Sequence, residues 1–299
     1  MGLAGLSIIY QRFEYVFAVP LGVGLFLLVI SHLVFAGVSV TYALKLLRHT
    51  SEVSAEFSHP VKSSFFPTIS ISLMLLAIAT QAVSQEISRY LWMAGAVLQI
   101  TFTIIIMSRW FSCACELSHA NPAWFIPMVG NIVVPIAGGE FIHRELAWFF
   151  FSIGLFLWLV LFTVIFYRLV LYKPLPARLM PTMFIMVAPP ALGFLAYMQI
   201  TGQMDNFARV LLYIAIFFIM LLFSMARTFT ALDFSVSWWA FTFPMCAVTL
   251  AVLMAYKFTG FAAFSWLAVL LLSITTLVVA KVALATINGL RKNTICIPE

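Results

Sequence analysis

The sequence predicts an all-α polytopic membrane protein. Ten transmembrane helices pair as five helical hairpins around a central pore, with the odd-numbered helices inside. Three features lead there. Apolar residues make up 64% of the 299 residues and charged residues only 9%, whereas a soluble domain carries roughly a quarter charged residues. The few charges are spaced so that the chain between them can cross a bilayer. Prolines lie in the interiors of alternate stretches only.

Nine stretches lack Asp, Glu, Lys and Arg: 15–44, 63–85, 90–108, 117–139, 146–167, 179–204, 210–226, 234–256 and 258–280. Each is near the ~20 residues that a helix needs to cross a ~30 Å hydrocarbon layer. The opening "MGLAGLSIIY" is also apolar, but ten helical residues reach only about 15 Å. It lacks the basic region of a signal peptide and reads as the latter part of a first span whose beginning is missing. That makes ten spans in a single transmembrane channel domain, 1–299.

Basic residues orient the spans. Lys45, Arg48, Lys62, Arg109, Arg168, Lys173, Arg178, Arg227, Lys281, Arg291 and Lys292 fall at the ends of even spans or on the tail. Arg12, Arg89, Arg144, Arg209 and Lys257 fall on the other side, and the acidic residues divide evenly. The net charge of +6 therefore sits on one face, and the positive-inside rule places both termini in the cytoplasm. A charge excess explained by topology leaves no ground for nucleic-acid binding.

Spans three, five, seven and nine contain Pro67, Pro127, Pro135, Pro189, Pro190 and Pro244, whereas the even spans have no interior proline. A broken helix is tolerated at membrane depth only where protein or a water-filled cavity satisfies the freed carbonyls. The proline-bearing helices should therefore face inward. Their interiors carry no ionisable acid or base, only residues such as Ser70, Asn131, Thr182, Thr242 and Thr249. Proton-coupled carriers place ionisable groups in their path, and cation channels use acidic rings or dense carbonyl filters. An uncharged pore in a basic protein suits anions, met by hydroxyls, backbone N–H groups and helix N-termini. Residue pattern alone leaves both a pore and a carrier open.

The four cysteines, Cys113, Cys115, Cys246 and Cys296, make no disulfide framework in a chain of this size. The Cys113-x-Cys115 spacing has no second pair to complete a metal site, so no metal and no cofactor is expected. His32 lies inside span two, where interhelical hydrogen bonding is expected, and the other histidines lie in loops. There is no phosphate loop, HExxH or paired carboxylate motif, so catalytic residues and an enzyme are not expected.

Four segments carry a family resemblance: "FSHPVKSSFF" from Phe57, "NPAWFIPMVGNIVVP" from Asn121, "RLMPTMFIMVAPPALGFLAY" from Arg178 and "WWAFTFP" from Trp238. In this order, on this span pattern, the chain resembles the tellurite-resistance/dicarboxylate transporter family. That family includes bacterial TehA and the slow-type anion channels of plant guard cells. The resemblance implies a homotrimer with one pore per protomer in the inner (plasma) membrane. It implies passive conduction of small inorganic anions such as chloride or nitrate. The alternative is a carrier or exporter of C4-dicarboxylates or sulfite, linked to tellurite resistance.

In this family a phenylalanine on the ninth helix occludes the pore, within a segment like Trp-Ala-Phe-Ser-Phe. The corresponding run is Trp239-Ala240-Phe241-Thr242-Phe243, which places the gate on Phe243. Pro244 follows directly, a departure from the pattern. Phe241, two residues away, should pack against the outer layer. Ala247, Leu250 and Met254 share the face of Phe243 and should line the same passage, with Ser70 and Asn131 as polar candidates. Asn131 has two readings, bonding carbonyls freed by Pro127 or Pro135, or contacting the ion. Pro127, Pro135, Pro189 and Pro244 are the expected kinks.

Overall fold

The computed structural model describes residues 1–112 and 116–292. All regular structure among them is helical. The principal helices are α1 (Gly2–Phe17), α2 (Val23–Arg48), α3 (Thr68–Thr80), α4 (Gln85–Ser112), α5 (Phe125–Gly138), α6 (Arg144–Leu171), α7 (Ala188–Thr201), α8 (Asn206–Ser224), α9 (Trp239–Thr259) and α10 (Ala262–Arg291). Two short helices, Thr50–Ser58 and Ala226–Thr230, lie in loops. The Cys113/Cys115 pair lies outside the described residues.

Among the described residues, eight segments are long and apolar enough to cross a membrane: α2, Lys62–Thr80, α4, α6, Ala177–Thr201, α8, Val236–Thr259 and α10. The helix α1 and the segment Pro122–Gly138 are shorter. α1 departs from expectation at its end. It does not stop near Tyr10 but runs through Arg12 and Glu14 to Phe17, because its polar side chains find partners on neighbouring helices. Gln11 Nε2 donates to Ala79 O (3.0 Å), and Glu14 Oε1 accepts the N–H of Gly24 (3.1 Å).

Buried fraction divides the helices. In the segments Lys62–Thr80, Ala177–Thr201 and Val236–Thr259, 67%, 83% and 78% of the apolar window is buried, whereas α2 reaches 17% and α8 39%. The deeply buried helices are also the interrupted ones. Short 3₁₀ segments lead into them at Lys62–Phe65, Pro122–Trp124, Ala177–Val187 and Val236–Trp238. These segments take up carbonyls that prolines free. Pro67 cannot bond Ser63 O, which accepts instead from Phe66 N (3.3 Å). Pro189 cannot bond Ile185 O, which accepts from Ala188 N. Pro127 and Pro189 thus sit in first turns, where a missing N–H is harmless, rather than at mid-helix kinks. Only Pro135 and Pro244, of the four expected kinks, lie inside α-helices.

Tight turns join α1 to α2, α3 to α4, α5 to α6, α7 to α8 and α9 to α10. Close packing between these partners depends on small residues, as is common where apolar attraction is weak. A Cβ on Gly95 of α4 would meet Met74 Cγ at 2.7 Å and Ser70 O at 3.0 Å. On Gly154 of α6 it would come within 3.1 Å of Ile132 N, besides clashing with that side chain.

A polar clasp gathers the ends of α2 and α4 with the start of α3. Lys45 Nζ donates to Glu56 Oε1 (2.7 Å), and Tyr42 OH to Glu56 Oε2 (3.3 Å). Arg109 lies 4.2 Å over the Phe57 ring and donates to Phe57 O (2.7 Å), while Phe57 meets Phe66 edge-on (4.8 Å). The hydrogen bond from Lys45 holds the Glu56 carboxyl below its ordinary value.

Gly154→Val overpacks the α5–α6 contact and should destabilise by about 1–3 kcal/mol, read as a lower unfolding midpoint in detergent. Gly37→Val, where an added Cβ meets nothing within 4 Å, should leave the midpoint in place. Because the Glu56 pKa is depressed on folding, the clasp contributes fully above the ordinary carboxylate value of 4.5 and is lost as pH falls through the lower folded value. Protease cleavage between α2 and α3 should therefore accelerate in acid, and Glu56→Gln should remove that pH dependence.

Candidate functional site

The odd-numbered helices run in the same direction, as named contacts at their ends show. Gln11 near the end of α1 reaches Ala79 at the end of α3, and Gln81 just past α3 reaches Ala137 at the end of α5 (3.2 Å). Phe17 at the end of α1 stacks on Tyr256 near the end of α9 (5.5 Å, 14°). At the opposite ends Cys246 Sγ lies 3.6 Å from Gly2 O, and Phe184 ahead of α7 meets Phe241 early in α9 (4.8 Å, 90°).

Between these five helices lies a cavity of about 20 Å³. Its lining is made of one-turn pairs: Gly5 and Ile8, Leu75 and Ile78, Val133 and Ile136, Leu192 and Leu195, together with Phe243, Cys246, Ala247 and Leu250 of α9. The volume is little more than the ~10–15 Å³ that one water requires, and a water also needs polar partners. None of these side chains carries an oxygen or nitrogen atom. The cavity is a dry constriction.

Phe243 forms part of its wall and is half-buried. The close crossing of α1 brings this about. A Cβ on Gly5 would stand 2.8 Å from Cys246 Cβ and 3.9 Å from the Phe243 ring, so only glycine lets α1 approach this face of α9. Ala247 and Leu250 join Phe243 in the lining, whereas Met254 does not. Phe241 faces elsewhere, but not toward a lipid-side helix. Its ring meets Phe184, Phe229 and Trp238 edge-on at 4.8, 5.7 and 5.7 Å, an aromatic cluster built from the lead-in of α7, the helix Ala226–Thr230 and the lead-in of α9.

Polar side chains of the inner helices bond backbone carbonyls or neighbouring side chains outside the cavity, although Asn131 Oδ1 is buried without a partner among the described residues. Ser70, Thr182 and Thr242 each lie within bonding distance of the carbonyl three residues earlier (2.7, 2.5 and 2.7 Å), and Thr249 bonds Met245 O (2.7 Å). Asn131 is fully buried, donating from Nδ2 to Thr103 Oγ1 (2.8 Å) and Met128 O (2.9 Å). Gln99 of α4 donates to Pro127 O (2.9 Å) and accepts from Ser70 (2.7 Å). Ser70 and Asn131 therefore belong to an α3–α4–α5 network and not to the lining. In this structure their protons serve carbonyls and, for Asn131, the Thr103 hydroxyl.

Other singled-out residues have plain partners. His32 Nε2 lies 3.4 Å from Thr80 Oγ1, an α2–α3 contact. Lys281 Nζ sits 5.2 Å over the Trp238 ring. Arg209 donates to Asn206 Oδ1 (3.3 Å), while Asp205 accepts from Tyr197 OH (2.5 Å) and caps α8 through Ala208 N (3.0 Å). The Tyr197 hydroxyl, more than the cap, holds the Asp205 carboxyl below its usual value. Among the described residues no three His, Cys, Asp or Glu side chains gather to hold a metal.

Nine of the twelve lining residues escaped sequence reasoning: Gly5 and Ile8, the pairs on α3, α5 and α7, and Cys246. Their only signal was apolar pairs three residues apart, which any buried helix carries.

The profile of the family described as SLAC1, voltage-dependent anion channel, matches residues 1–287. The S-type anion channel SLAH3 of Arabidopsis thaliana is 32% identical over 272 residues, covering 90% of this chain and 43% of that protein. The guard cell S-type anion channel SLAC1 of the same plant is 31% identical over 231 residues, 75% of this chain and 41% of that protein. The chain thus spans less than half the length of these plant relatives. A tellurite resistance protein TehA homolog from Haemophilus influenzae is 26% identical over 254 residues, covering 83% of this chain and 76% of that protein. With a profile match over nearly all of its length and this helical architecture, the chain belongs to the SLAC1 voltage-dependent anion channel family.

Proposed function

We propose that this protein is a passive channel for small monovalent anions such as chloride or nitrate, closed by the Phe243 ring. The observation that carries this reading is the dry constriction, bounded by five parallel helices, with Phe243 in its wall. An ion can cross an uncharged apolar neck only if it sheds water or the neck widens. Rotating the ring about χ1 widens it. Pro244, next in sequence, removes a backbone bond beside that ring.

Five parallel helices also order the field. Each N-terminus carries roughly half a positive charge, so the N-terminal mouth attracts anions. The arrangement assigned to the chain is five hairpins around the passage, odd helices inside, in a single domain over 1–299. The proposed assembly is a homotrimer with one pore per protomer, in the inner (plasma) membrane with both termini cytoplasmic. The tight turns and the two burial classes support the hairpin arrangement and the sidedness of basic residues supports the orientation, while the trimer and the membrane rest on the family resemblance. The names of the plant relatives favour a channel. The name of the Haemophilus relative keeps a carrier of organic or sulfur anions as the second reading, although a dianion would meet no Arg or Lys at the neck.

Phe243→Ala should raise chloride and nitrate conductance in planar bilayers by about tenfold or more, ~1.4 kcal/mol off the barrier. Unchanged current from well-folded protein would sink the gate. Flux that saturates and needs a proton gradient would favour the carrier. Cys246 supplies an independent reading, in protein with Cys113, Cys115 and Cys296 replaced by Ser. An anionic methanethiosulfonate reagent should block Phe243→Ala current through Cys246 and leave the Phe243 protein unlabelled. Equal labelling of both proteins would place the barrier elsewhere.

A further inference from the structure

We propose that Lys257, with the phenol hydroxyls of Tyr15 and Tyr256, forms an anion-capturing site at the C-terminal mouth of the passage. This rests on reading the apolar constriction as a conduction path. The need for such a site follows from the parallel helices. Five C-termini converge at this mouth, each with roughly half a negative charge, and together they repel an anion arriving or leaving there.

α9 is the inner helix that answers this charge. The last turns of α1, α3, α5 and α7 hold no basic residue, whereas that of α9 holds Lys257. Fourteen residues separate Lys257 from Phe243, which returns it to within about 40° of the same helical face and ~21 Å along the axis. The stripe that starts with Phe243, Cys246, Ala247 and Leu250 thus ends in an ammonium group.

A cavity of about 480 Å³, open to solvent, lies at this place, lined by Tyr15, Val16, Tyr256, Lys257 and Gly260. Lys257 Nζ stands 4.9 Å from the centre of the Tyr15 ring, and the Tyr256 ring is held by stacking on Phe17. Among the described residues no carboxylate lies within 4 Å of the Lys257 ammonium group. The nearest acid along α1, Glu14, is engaged by the N–H of Gly24. Neither phenol hydroxyl has a hydrogen-bond partner among the described residues. The ammonium group and two phenol hydroxyls, all potential donors, thus belong to residues that line one cavity. Gly260, with φ +65°, turns the chain sharply after α9.

The test uses the full chain carrying Phe243→Ala in planar bilayers, comparing Lys257 with Lys257→Gln and Lys257→Arg. At about 0.01 M chloride, where fields reach ~30 Å, Lys257→Gln should lower conductance severalfold for anions entering from the C-terminal mouth. At about 1 M, where they reach ~3 Å, the proteins should converge. Lys257→Arg should retain the conductance. Equal loss at both concentrations, or equal loss in Lys257→Arg, would overturn the site. A second measurement does not depend on current. With Tyr15→Cys in protein whose native cysteines are Ser, an anionic methanethiosulfonate reagent should outpace a cationic one. Lys257→Gln should abolish that preference, and nitrate should slow the anionic reaction only when Lys257 is present. If Phe243→Ala carries no current, the conduction reading fails. The reagent preference then decides the site alone, and a preference indifferent to Lys257 overturns it.

Discussion

A carbonyl in hydrocarbon that loses its helical N–H has no water to turn to, and the inner helices of this protein are shaped by that demand. Each proline-bearing element enters through a 3₁₀ segment, whose shorter repeat lets the preceding N–H reach the carbonyl that proline abandons. Phe66 does this for Ser63 and Ala188 for Ile185. Side chains complete the accounting where backbone cannot. Ser70, Thr182 and Thr242 turn back on their own helices, and Gln99 reaches Pro127 O from α4. These bonds brace the broken helices, although Ser64 Oγ, Trp124 Nε1 and Asn131 Oδ1 stay buried without a partner among the described residues.

That commitment decides the character of the passage. Hydroxyls that serve the backbone have no proton left for an ion, so the surface turned inward is hydrocarbon and a single thiol. Small residues then set how narrow it becomes. Gly5 allows α1 to close on Cys246 and Phe243, and a cavity of about 20 Å³ remains. Such a neck offers no charge of its own, and the parallel helices carry partial charges of opposite sign at their two ends.

The long, continuous helices serve a different purpose. They carry exposed apolar faces, as lipid contact requires, and supply amides, indoles and glycines to their inner partners. Trp92 of α4 donates to Val134 O (3.1 Å), Thr286 of α10 accepts from the Trp239 indole of α9 (3.0 Å), and Gly95 and Gly154 admit α3 and α5 at close range. Each broken helix is thereby braced along its length while its inward face stays free of polar groups.

Much of this was legible in the residues. The dearth of charge and the spacing of Arg and Lys dictate spans, because a charged side chain in hydrocarbon is too costly to hide. Proline dictates which helices break, since a missing N–H is a covalent property that no environment restores. The Trp239–Phe243 run brought Phe243 to notice through its family likeness alone, being one phenylalanine among 30. The rest needed the fold. Whether Pro127 and Pro189 kink a helix or begin one depends on where the helix starts. α1 passes Arg12 and Glu14 because Gly24 N and Ala79 O are there to bond its polar side chains. Ser70 and Asn131 lie outside the cavity lining because Pro67 O, Gln99, Thr103 and Met128 O supply their partners. Sequence by itself determined which groups must avoid lipid and which bonds must break. Tertiary structure decided which partner each of them found, since helices distant in sequence meet only when their faces pack.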